Sequence, residues 1–295
     1  MEQALQFCEA RVREAGKDRF LATLFAPKQQ RGPLFALYAF AADIAEVRDR
    51  ITSPLPGEVR LQWWRGVLTG TEPGDAAANP VAAGLLDTVR RFALPVPALL
   101  GLVDAHSFDL YDAPMATLAA LESYAAATSA TIIRLAARVL SDGSEPGQAA
   151  ASRHAGMACT IADVLQRLPQ HCARGQRYLP DEVLARHGAA AADLQAGRVT
   201  SELRAVLAEL YQLAEHHLAA LRSGEGVPPR LLPAFLPVSL VPPALARMAR
   251  ADADPFHPHI APQWRRQWTL WRAARNPARF IKIRPDDPAG TGDRR

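Results

Sequence analysis

Apolar residues recur at helical spacing along almost the whole of this 295-residue chain, and the breaks between blocks are short. Side chains three and four positions apart share one face of a helix, whereas a half-buried strand needs strict alternation, and alternating runs are scarce here. Helices are expected over 2–15, 28–51, 58–68, 81–92, 96–111, 115–140, 148–168, 181–187, 200–222, 230–250 and 261–275. Gly16 and the turn Ser53-Pro54-Leu55-Pro56-Gly57 punctuate them, and 69–80 reads as a loop. A chain made of such blocks buries its apolar faces helix against helix, which makes the fold class all-α. No internal repeat and no linker composition divides it, so residues 1–284 read as a single helical domain. The Pro, Gly and Asp content of 285–295 reads as a disordered tail.

The net charge of +4 is carried almost wholly by arginine, since Lys17, Lys28 and Lys282 are the only lysines. Cys8, Cys159 and Cys172 are odd in number and lack CxxC spacing, which points to a reducing compartment rather than a disulfide framework or zinc site. The first twenty residues carry acids and arginines where a signal peptide needs an apolar core. The most apolar stretch, 231–246, is interrupted by Pro233, Pro237, Pro242 and Pro243, and no run reaches the ~20 residues of a membrane span. The expected location is cytoplasmic, at most peripheral at the inner face of the cytoplasmic membrane. P-loop, GxGxxG and HExxH patterns are missing, and no nucleic-acid-binding motif accompanies the basic charge. The short pairs His216-His217 and His257-Pro-His259 lack further ligands.

Four segments in order carry a more specific signal. They are Arg31-Gly-Pro-Leu-Phe-Ala-Leu-Tyr38-Ala-Phe40 running on to Asp49, Leu61-Gln-Trp63-Trp64-Arg65, Phe108-Asp109-Leu110 followed by a helix around Tyr124, and Arg174-Gly-Gln-Arg-Tyr178-Leu-Pro180. Together they resemble the squalene/phytoene synthase family, over about residues 18–188. The resemblance implies an isoprenoid-synthase-type helical bundle. Catalytic members join two prenyl diphosphates head to head, holding Mg²⁺ between two facing helices that each present a D-x-x-x-D pair. Stacked carboxylates at i,i+4 suit a hard cation with oxygen ligands.

Carried onto this chain, the first motif falls on Ala45-Glu46-Val47-Arg48-Asp49, so one of its two facing carboxylates is alanine. Glu46 and Asp49 at i,i+3 are candidates to share a cation, against the plainer alternative of a solvated acidic face in which Asp43, Glu46 and Asp49 pair with Arg48 and Arg50. The second motif falls on Asp163, Arg167 and His171: both of its aspartates are replaced, one by a permanent cation. Asp163 is placed to pair with Arg167 one turn on, and Pro169 ends or kinks the helix. Glu46, Asp49, Asp163, Arg167 and His171 therefore read as the remnant of a metal and diphosphate site, and no catalytic residue and no metal ligand is assigned. Arg31, Tyr38 and Tyr178 are candidates to line the cavity, with Arg134, Arg174 and Arg177 nearby. Mg²⁺ would be a cofactor only if the chain were an active prenyltransferase.

The segments L-Y-A-F-x-x-D-I-A-E-V-R-D, L-Q-W-W-R and L-x-R-x-P-x-H look like a divergent branch of the family that includes the mitochondrial assembly factor for respiratory complex I and its proteobacterial relatives. That resemblance implies a non-catalytic role in building NADH–quinone oxidoreductase, with an assembly intermediate or the membrane surface as partner. The alternatives are an active head-to-head prenyltransferase and a module that binds a prenyl diphosphate or other isoprenoid lipid. A separate feature bears on the partner. Between Pro255 and Pro285 there is no acidic residue, while Trp264, Trp268 and Trp271 follow i, i+4, i+7 among Arg265, Arg266, Arg272, Arg275, Arg279, Lys282 and Arg284. The stripe fits a membrane or partner surface; it equally fits tryptophans packed on the domain beneath solvated arginines.

Overall fold

The computed structural model describes residues 1–71 and 73–285. In chain order the helices are α1 (Glu2–Ala15), α2 (Lys17–Thr23), α3 (Lys28–Ala45), α4 (Pro54–Thr69), α5 (Pro73–Ala78), α6 (Pro80–Phe92), α7 (Val96–Ala105), α8 (Leu118–Ala125), α9 (Thr131–Leu140), α10 (Ala149–Gln166), α11 (Leu168–Ala173), α12 (Asp181–Arg186), α13 (Ala191–Gln195), α14 (Ser201–Ser223), α15 (Leu232–Phe235), α16 (Val241–Met248) and α17 (Gln263–Arg275). No strand occurs among the described residues; the extended pairing is limited to isolated bridges at Pro114–Arg177 and Val227–Ile283. The all-α expectation holds. The tail expected to be disordered lies outside the described residues from 286 onward.

Local chemistry sets the helix starts. The Asn79 side chain accepts from the backbone N–H groups of Val81 and Ala82, with Pro80 at the first position of α6. Thr117 and Thr200 cap α8 and α14 in the same way, through Ala120 and Leu203. Helix α3 is apolar on all sides, and Leu34 through Ala41 are each 5% exposed or less. A helix of that kind belongs in the middle of a bundle, and α1, α2, α6 and α9 pack around it. Helix α10 is its counterpart, packed against α9, α14 and α16. Between α8 and α9 the chain runs through one π-helical turn, Ala126–Ala130. There α10 approaches so closely that a Cβ on Gly156 would lie 2.5 Å from Ala130.

Several expectations need correction, among them the turn at 53–57, since Pro54–Gly57 form the first turn of α4 behind Ser53. The long helix over 28–51 ends at Ala45, and Arg48–Arg50 forms a separate 3₁₀ turn. The loop over 69–80 contains α5. The helix over 230–250 is divided into α15, α16 and two 3₁₀ segments, as its four internal prolines dictate. Residues 17–23 and 191–195, given no helix by periodicity, form α2 and α13, which are too short to show a periodic signal. The stretch Pro229–Met248 does have the length and hydropathy of a membrane span, yet 56% of its most apolar window is buried inside the fold. It is better described as core.

Candidate functional site

Residues of α3 and α10 wall a cavity of about 430 Å³, together with α8 and the π turn. A π turn displaces a helix face locally and is common where a helix borders a site. Here it places Thr128 and Ser129 on the cavity wall, and the Thr160 hydroxyl of α10 donates to Ser129 Oγ at 2.9 Å. Five carboxylates (Asp18, Glu46, Asp49, Asp109 and Asp163) and five arginines (Arg19, Arg48, Arg167, Arg174 and Arg266) line it, so the cavity carries no excess of negative charge. Tyr38 and Tyr178 line the cavity. Arg31 does not: its Nε donates to the Ala26 carbonyl at 2.9 Å, behind α3. Arg134 and Arg177 are also outside the wall, whereas Arg174 is part of it.

The first acidic motif is locked into ion pairs. Asp43 is not on a solvated face but 5% exposed, and Arg11 of α1 reaches it at 3.0 Å and Glu46 at 2.6 Å. Glu46 also takes Arg50 at 2.6 Å. Because α3 ends at Ala45, Glu46 and Asp49 do not project from one continuous helix face, and Asp49 is engaged by Arg174. Arg48 turns to Asp112 at 3.4 Å, while its Nε is buried without a partner.

The second motif follows the same rule. Arg167 sits 3.5 Å from Asp163, one turn on. Asp163 opens onto the cavity, with a side chain 64% accessible, but protein surrounds that opening on most sides. The loss of bulk water pushes its carboxyl above the usual carboxylate range, while Arg167 and Arg19 pull it down. The helix does break here, but at Arg167: α10 ends at Gln166, and Pro169 occupies the first turn of α11 rather than the end of α10. His171 is 8% exposed, packed at a tilt against Tyr178 with ring centroids 4.4 Å apart, and its Nδ1 has no partner. Burial and the Arg167 charge push its imidazole down to about 4, so it is neutral near pH 7.

Sequence reasoning missed two organising residues. Asp109, 7% exposed, accepts from Tyr124 at 3.0 Å, from the Tyr178 hydroxyl and from His106 Nδ1 at 2.5 Å. Its own carbonyl accepts from Gln176 Nε2 at 2.9 Å. Burial and the Asp109 charge push both tyrosine hydroxyls up, so both remain donors. Arg11 was the other. The F-D-L triplet marked Asp109 without revealing its partners, and nothing near Arg11 in sequence points to α3.

A Mg²⁺ cluster of the kind catalytic members use does not fit these side chains. It requires ionised carboxylates free to face one another across the cavity. Here Glu46, Asp49 and Asp163 each already face a guanidinium, and Arg167 and Arg174 place fixed positive charge between the two motifs. Among the described residues no group of three His, Cys, Asp or Glu side chains is arranged to hold a metal.

The fold and cavity define an isoprenoid-synthase-type helical protein, and residues 12–272 match the squalene/phytoene synthase family model: the chain belongs to that family. Among its relatives is the human NADH dehydrogenase (ubiquinone) complex I assembly factor 6, 29% identical over 255 residues that cover 86% of this chain and 76% of the human one. The presqualene diphosphate synthase of Rhodopseudomonas palustris is 28% identical over 213 residues, covering 70% and 73%. The crystal structure of a dehydrosqualene synthase in complex with ligand superposes with a TM-score of 0.79 at 16% identity, covering 94% of this chain and 97% of that one. At that identity the likeness speaks for the fold.

Proposed function

We propose that this chain is a non-catalytic member of its family that assists assembly of respiratory complex I, NADH–quinone oxidoreductase, working in the cytoplasm at the inner face of the cytoplasmic membrane without a metal cofactor. The observation that carries the non-catalytic part is the pairing of Glu46, Asp49 and Asp163 each with arginine, which leaves none of the motif carboxylates free to draw a divalent ion to a diphosphate. Support for the assembly part comes from likeness to the human assembly factor along most of both chains. Its partner is then an assembly intermediate rather than a nucleic acid. Deleting the gene should lower assembled NADH–quinone oxidoreductase and leave squalene and carotenoids unchanged; normal complex levels would sink the proposal. A C30 or C40 product from the purified protein with farnesyl or geranylgeranyl diphosphate and Mg²⁺ would restore the prenyltransferase reading.

One observation favours a second reading, binding of a prenyl diphosphate without turnover. The cavity is open, and its wall includes Arg48 Nε and His171 Nδ1, buried and without partners. Guanidinium groups suit phosphate oxygens without any metal. Calorimetric titration with farnesyl diphosphate should then give the same affinity with and without Mg²⁺ and a weaker one for Arg167→Ala; no heat of binding rules this reading out.

A further inference from the structure

Helix α17 turns its tryptophans outward. Trp264, Trp268 and Trp271 are 63%, 53% and 40% exposed, while Leu270 and Ala273 on the opposite face are buried against α2 and the Leu236–Leu240 segment. Exposed tryptophans on one helix face are costly in water, and nothing among the described residues covers them. Trp268 and Trp271 stack at 4.8 Å, and Arg265 and Arg275 lie over Trp264 and Trp271 at 5.1 and 4.7 Å. In the same stretch of chain Arg272, Arg279, Lys282 and Arg284 are exposed, and no acidic residue interrupts the segment from 255 to 285.

We propose that the α17 face docks on an anionic lipid bilayer. The inference rests on the peripheral membrane placement proposed above and specifies its surface. Indole rings with a flat apolar body and one N–H settle at the headgroup boundary, and arginines beside them reach lipid phosphates. Charge complementarity therefore selects an anionic bilayer over a neutral one. A groove of about 360 Å³ opens beneath the stripe, rimmed by Trp264, Trp268 and the 55% exposed Ile260. It shares Gln166, Leu240 and Arg266 with the central cavity. A docked α17 thus turns this groove, and the cavity behind it, toward the acyl chains.

The full-length protein should co-sediment with vesicles of phosphatidylcholine and phosphatidylglycerol, release with rising salt, and stay in solution with phosphatidylcholine alone. Trp264→Ser/Trp268→Ser/Trp271→Ser should abolish binding, and Arg272→Gln should weaken it about fivefold. Their thermal melts should match the wild type, because these side chains are exposed. Brominated acyl chains should quench the wild-type tryptophan fluorescence. Equal sedimentation with neutral and anionic vesicles, no sedimentation with either, or retained binding by the triple tryptophan variant would overturn the proposal. A gene deletion that spares complex I would fail the assembly reading and leave the vesicle result unaffected.

Discussion

Replacing Arg11 with methionine tests whether the first acidic motif is held by an interior ion network rather than by surface pairing. The Arg11 side chain is 13% exposed and Asp43 7%, so the pair lies within the protein, while Glu46 at 27% sits near its edge. Breaking one side of a buried pair costs about 3–5 kcal/mol, because the remaining charge stays buried without compensation. Two observations reduce that figure. Asp43 retains Arg60 at 3.8 Å and Arg50 at 4.0 Å, and Glu46 retains Arg50 at 2.6 Å. A loss of about 2–3 kcal/mol is expected, read in urea as a lower midpoint with an unchanged slope. Arg11→Met/Asp43→Asn should recover part of the loss, giving a coupling energy of about 1–3 kcal/mol in the double-mutant cycle. A loss under about 0.5 kcal/mol, the size of an exposed pair, would refute the reasoning and return Asp43 to a solvated face.

Three further outcomes are expected. Mg²⁺ should leave the wild-type melting temperature unchanged, whereas Ala45→Asp/Arg167→Asp/His171→Asp should gain about 1.4 kcal/mol at an ion concentration ten times its Kd; calorimetry with and without the ion checks this. His171, with burial and Arg167 against its charge, and His217, with burial and His154 against its charge, are both pushed down to about 4. Between about 4 and 6.5 these two imidazoles bind fewer protons in the folded chain than in the unfolded one, so the stability they contribute is complete above about 6.5 and is lost as pH drops toward 4. His171→Phe should flatten that fall by up to about 1.4 kcal/mol per pH unit, and an unchanged profile from urea unfolding at stepped pH would contradict the neutral buried imidazole. Gly156→Ala places a Cβ 2.5 Å from Ala130 and should cost about 1–3 kcal/mol of stability by the same assay.

Several features were legible without coordinates because they depend on local spacing. The apolar run from Leu34 to Ala41 required a buried helix, and the substitution of Arg167 and His171 for aspartates identified the motif that no longer suits a metal. Asp163 and Arg167 pair because i,i+4 neighbours meet on any helix. Pro169 sits in the first turn of α11, where its missing N–H costs nothing, just past the break between α10 and α11. The end of α3 at Ala45 was hidden, since helical periodicity continues through Asp49 while the backbone departs from α geometry at Glu46.

What remained belonged to pairs far apart in the chain. Arg11 and Asp43 are separated by 32 residues, Asp49 and Arg174 by 125, and Asp109 and Tyr178 by 69. Each carries a charge or hydroxyl with several possible partners, and only packing selects one. The tryptophans of α17 show the division most clearly. Their spacing by itself determined that Trp264, Trp268 and Trp271 share a face, because 3.6 residues complete a turn. Whether that face looked inward or outward depended on which side α2 and the Leu236–Leu240 segment could cover. They cover Leu270 and Ala273, a choice made by the surfaces of other elements and absent from the helix's own sequence.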